Sequence, residues 1–165
     1  MGTKRVLAAV IAVLAVCGAA WAGDGGSPLA VSGVSIRVPD GWSRTTAAVD
    51  AVSDPRTVLV VGTDGVQPRR SSCQVSAYRV PADGAAVVVI GWRGKATAAI
   101  SRDRAVLGAM RLRRPYFECW AGRGASAQIA LHGRAYQVNV LVGDQASPGI
   151  VADALRAARS VDVAE

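Results

Sequence analysis

Residues 125–143, ASAQIALHGRAYQVNVLVG, constrain the fold more tightly than any other part of the chain. Ala127, Ile129 and Leu131 alternate before His132-Gly133, and Tyr136, Val138, Val140 and Val142 alternate after it. A period of two sends successive side chains to opposite faces of a strand. Two such runs joined by a two-residue X-Gly turn read as a β-hairpin. Its apolar face has to be covered by some other element.

The rest of the chain supplies more strands and one convincing helix. Val34, Ile36 and Val38 alternate with Ser35 and Arg37 until Pro39-Asp40-Gly41 stops the run. TVLVVGT over 57–63 is a short apolar run after Asp54-Pro55. In CQVSAYRV, Val75, Ala77 and Arg79 alternate with Gln74, Ser76 and Tyr78, which predicts another strand. Residues 85–92, AAVVVIGW, are apolar on both faces, the pattern of a central strand covered on both sides. Residues 96–107 are compatible with a helix, although Gly108 and the basic run beyond it work against one. Sheet character resumes with YFECW over 116–120.

At the C-terminal end, Ser147 is a cap and Pro148 occupies the first helical turn, where its missing N–H costs nothing. Ile150, Val151, Ala154, Leu155, Ala158 and Val161 fall on one face, with Asp153, Arg156 and Arg159 opposite. Both arginines stand where the helix dipole favours positive charge. The expected class is α+β: a mostly antiparallel β-sheet with a C-terminal amphipathic helix packed on one face.

The N-terminus has the order of an export signal. Lys4 and Arg5 precede an apolar run of eleven residues over 6–16, and small residues lead to Ala20-Trp21-Ala22 before Gly23. Cleavage between Ala22 and Gly23 is the expected processing. Lipidation at Cys17 is the alternative: Leu14 and Ala15 suit it, and Val16 does not. A retained anchor extending to Ala22 is a third outcome, from a run shorter than the roughly 20 residues a spanning helix needs. The expected organisation is a signal over 1–22, a flexible leader over 23–33 and a single domain over 34–165. The mature chain is therefore expected to be secreted or associated with the cell wall, or lipid-anchored at Cys17, with no membrane span left once the signal is removed.

Cleavage leaves 143 of the 165 residues, a length suited to one domain. Lys4 and Arg5 leave with the signal, so the 19 basic residues become 17 against 12 acidic, a net charge of +5. The near absence of lysine beside abundant arginine and alanine reads as the bias of a GC-rich coding genome plus solubility; a basic surface that meets anionic lipid, glycan or polymer is the sharper alternative. Nucleic acid is not expected, because no aromatic–basic interleaving forms a stacking platform. Two cysteines remain, Cys73 and Cys119, and outside the cytoplasm an even pair reads as a disulfide.

Catalytic and metal constellations are missing from the pattern. His132, the one histidine, sits in the expected hairpin turn, a poor place for a triad base. No Gly-x-Ser-x-Gly elbow, Cys-x-x-Cys pair or calcium loop occurs. Gly122-Arg123-Gly124 lacks the helix that a phosphate loop requires after it. No cofactor or metal is expected. Arg111, Arg113 and Arg114 beside Tyr116 and Phe117 form a candidate anion-binding cluster, since guanidinium groups grip carboxylate and phosphate bidentately. Trp42 and Trp92 are candidate pocket walls or core lids.

VPDGW after a strand, DPRTVLVVGT, a following cysteine and GRAYQVNVLVG before a terminal helix resemble a group of uncharacterised exported actinobacterial proteins. More loosely, the strand, the Pro-x-Gly-Trp and the closing helix are similar to the PsbP/Mog1-like α/β sandwich. The shared residues are turn and packing residues, so the resemblance implies fold and location and carries over no active site. Residues 95–114 depart from it most. The function expected is that of an exported, non-catalytic binding or scaffold domain of the cell envelope or medium. An enzyme of unfamiliar type acting on envelope polymers, or a polyanion-binding surface, is the alternative.

Overall fold

A computed structural model describes residues 26–48, 52–113 and 117–163. The expected signal, the Ala22–Gly23 junction and Cys17 lie outside the described residues. In chain order the elements are β1 (Ser27–Val31), β2 (Val34–Val38), β3 (Ser43–Arg44), β4 (Arg56–Gly62), β5 (Gln67–Pro68), β6 (Tyr78–Arg79), β7 (Ala85–Lys95), α1 (Ala105–Gly108), β8 (Arg123–Leu131), β9 (Arg134–Val142), α2 (Pro148–Arg159) and β10 (Asp162–Val163). The fold is α+β, mostly antiparallel, with α2 against the sheet.

The hairpin forms as its pattern requires. β8 and β9 pair without a break from Arg123↔Val142 to Leu131↔Arg134. His132 and Gly133 both have positive φ, 46° and 76°, the left-handed pair that suits the twist of a two-residue hairpin. The hairpin forms one side of a five-stranded antiparallel sheet in the order β3-β4-β7-β9-β8. The doubly apolar run is its middle strand. Ala85, Val87 and Val89 of β7 enter one core, and Ala86, Val88 and Ile90 enter another on the opposite face.

The first core lies beneath α2 and a small sheet ordered β1-β2-β10. Ser147 Oγ accepts the Ile150 N–H at 3.3 Å, and Pro148 opens the helix. Ala154, Ala157 and Ala158 are its buried residues. Their small side chains let the helix backbone approach the sheet closely.

The second face is covered by loops. Val66, Val75, Ala77, Tyr78 and Phe117 pack over Val60, Val88 and Leu141. The Cys73–Cys119 disulfide ties the two covering segments together across 46 positions, with Cα atoms 6.4 Å apart. Inside this face, fully buried Asn139 donates from Nδ2 to the Val88 carbonyl at 3.3 Å. Its Oδ1 accepts from Ser126 Oγ at 2.9 Å and Gln137 Nε2 at 3.0 Å.

Four expectations are corrected. The leader expected over 23–33 is already a strand at Ser27, where β1 pairs with β2 from Ser27↔Val38 to Val31↔Val34. The alternation read over 73–80 is a strand only at Tyr78–Arg79. Before that, side chains take over the backbone's partners: Ser71 Oγ accepts from the Cys73 N–H, Ser76 Oγ donates to the Cys73 carbonyl, and Arg69 Nε donates to the Ser76 carbonyl. The helix considered for 96–107 is reduced to Ala105–Gly108. Ser101 Oγ accepts from the Asp103 N–H and Asp103 Oδ1 from the Ala105 N–H, which delays the start. YFECW makes no strand in its described part. Phe117 and Trp120 exchange backbone hydrogen bonds around a turn, with Glu118 at φ 52°.

Candidate functional site

A strongly charged concavity lies where β2 meets the C-terminal end of α2. Arg37 and Pro39 contribute from β2 and the residue after it, Arg104 precedes α1, and Arg156, Ala157, Arg159 and Ser160 come from the end of α2. Together they line a cavity of about 430 Å³ with four arginines and no carboxylate.

Local structure explains each placement. Arg37 alternates outward between buried Ile36 and partly buried Val38. Arg156 and Arg159 stand one turn apart on the face of α2 opposite its buried alanines. Ser160 joins the two elements: its Oγ accepts the Arg37 N–H at 2.8 Å and donates to the Ala157 carbonyl at 2.7 Å. That bond spans 123 positions of sequence.

The four guanidinium groups are not equivalent. Arg104 Nη1 binds Asp162 Oδ1 at 3.0 Å, and its Nη2 donates to the carbonyls of Val161 at 2.8 Å and Arg159 at 3.4 Å. It is held in place by the helix end it caps. Arg156 pairs with Asp153 one turn earlier. Arg37 and Arg159 form no side-chain hydrogen bond or ion pair with the described residues. Two oriented cations thus flank two uncommitted ones. Such an arrangement suits an oxyanion that accepts from two planar forks.

The arginines singled out in the sequence are placed elsewhere. Arg111 Nη1 donates to the Met110 carbonyl at 2.8 Å and the Gly108 carbonyl at 3.1 Å. Arg113 is bridged through its backbone to Gly124 and lines a separate cavity of about 300 Å³ with Phe117, Glu118, Ser126, Ala127 and Gln128. Arg114 lies outside the described residues. Trp42 packs against the core under α2 and Trp92 against the other, so they do not share a pocket. His132 is exposed at the hairpin tip. Among the described residues no three His, Cys, Asp or Glu side chains gather in a metal-binding group, and no helix is long and apolar enough to cross a membrane.

The cavity was half visible beforehand. Arg156 and Arg159 fall on the polar face of the expected helix, and Arg37 on the polar side of the expected strand. Their convergence depends on where α2 ends relative to β2, which no local pattern encodes. No family model, curated protein or solved structure matches the chain.

Proposed function

We propose that this chain is an exported binding domain of the cell envelope or medium, and that its ligand is an anion held in the arginine cavity. One observation carries the reading: Arg37 and Arg159 share a cavity with two restrained arginines and no lining carboxylate. The cavity's volume of about 430 Å³ falls within the usual range of small-molecule sites. Export is supported by the signal pattern before Gly23 and is compatible with the Cys73–Cys119 bridge. The likeness of VPDGW and GRAYQVNVLVG to exported actinobacterial proteins belongs to the same proposal.

Titrating the mature chain with inorganic pyrophosphate, followed by amide NMR, tests it. Saturable shifts should centre on Arg37, Arg159 and Ser160 and weaken with salt. Arg37→Ala and Arg159→Ala should each cost about ten-fold in affinity, the usual loss of one charge-assisted hydrogen-bonding partner. Shifts centred elsewhere, or affinity unchanged in the double variant, would remove this site from consideration.

A further inference from the structure

We infer that the arginine pole is the membrane-facing side of the domain, and that the cavity receives the phosphate of an anionic phospholipid headgroup. This rests on the reading of the cavity as an anion site, and adds a partner and an orientation to it.

The cavities at the two ends of α2 differ in the charge of their linings. Around its first turn, a cavity is lined by Asp64, Asp83 and Ser147 with no basic residue. At its last turn a cavity is lined by Arg156 and Arg159 of the helix together with Arg37 and Arg104, Arg104 and Arg156 being paired with Asp162 and Asp153. A cavity lined by arginines and no carboxylate attracts a negative surface, and one lined by aspartates does not. The helix dipole alone does not require so many cations: Arg104 already holds two of the last carbonyls, and Arg37 belongs to a different element.

The first described residues also lie at this pole. Ser27 pairs with Val38 and Pro28 with Arg37. Gly26 lies so close to β2 that a Cβ there would meet the Val38 carbonyl oxygen at 2.6 Å and the Pro39 nitrogen at 3.5 Å. Pro39 lines the cavity itself. Gly26, the first described residue, thus sits beside the cavity. Cys17 is nine positions earlier, a distance that fully extended chain spans in roughly 30 Å. A lipid there would hold this pole against the membrane; a chain cut after Ala22 would rely on the arginines alone.

The surface favours peripheral contact over insertion. Among the described residues, Val52 is the one exposed large hydrophobic side chain. Headgroup phosphate is thus the chemistry on offer, with Pro39 and Ala157 as the apolar wall beside it.

Cosedimentation of the mature chain with vesicles decides the matter, using phosphatidylcholine alone or equimolar with phosphatidylglycerol. Binding should require the anionic lipid and fade with salt. The Arg37→Ala/Arg159→Ala double variant should partition about 30-fold less, as expected for two cations lost from an anionic surface. Arg111→Ala, away from the cavity, should bind like the wild type, and the urea midpoint of the double variant verifies that it is folded. Undiminished vesicle binding by the folded double variant overturns the inference. Cavity-centred pyrophosphate binding without vesicle binding overturns the membrane partner and leaves the anion site standing. Failure of both removes the two together.

Discussion

Replacing both Cys73 and Cys119 with Ser releases the clasp over the loop-covered face of the sheet. The bridge closes a loop across 46 positions, and the chain-entropy relation converts that span to about 4 kcal/mol at room temperature. For a domain of this size, a urea m-value of about 2 kcal/mol per molar turns the loss into a midpoint lower by about 2 M. The loss should also be local in the folded state. Val75, Ala77 and Tyr78 on one covering segment and Phe117 on the other bury the second core. Amides of 74–78 and 117–120 should lose hydrogen-exchange protection before those of β7 and β9. Urea unfolding of the oxidised wild type and the double variant, with exchange on both, measures the two effects. A stability loss below about 1 kcal/mol at unchanged m would refute the entropy reasoning. Uniform loss of protection across β7 and β9 would refute the picture of a clasp acting on the covering loops.

Two further substitutions probe the same sheet. Asn139→Leu removes a second donor from the Val88 carbonyl and the buried acceptor shared by Ser126 and Gln137; it should cost about 2–3 kcal/mol in urea unfolding. Gly143→Ala would drive a methyl group into the carbonyl oxygens of Pro81 and Ala82, which are backbone and cannot rotate away. It should destabilise the domain by about 3 kcal/mol or more, read as a fall in thermal midpoint of roughly 10 °C.

The fold was legible wherever one local rule was enough. The His132-Gly133 turn, the doubly buried β7 and the Ser147-Pro148 helix start each follow from a few adjacent residues. Reading failed where side chains competed with the backbone. The serines around Cys73 satisfy groups that a strand would have paired, although the alternation of Val75 and Ala77 is that of a strand. The short β1 was hidden because SPLAV contains a proline. Proline is tolerated in β1, which lies at the edge of its sheet. For the site, the sequence offered RLRRP because its arginines are contiguous. The cavity instead gathers arginines separated by most of the chain, brought together by the Ser160 bond to β2. Contiguity marks charge density; shared geometry is a property of the tertiary fold.

The small sheet beside α2 has a consequence for the order of assembly. Its middle strand, β2, is flanked by β1 near the beginning of the described fold and by β10 at its far end. The Ser160–Arg37 bond that accompanies this closure bridges 123 positions, so it cannot form until the chain has been made as far as Ser160. Contacts of such separation are slow to form, because the intervening chain must first be ordered. The small sheet is therefore completed only once the end of α2 and β10 have been made. The arginine cavity, which takes its walls from β2 and from the end of α2, exists only after that closure.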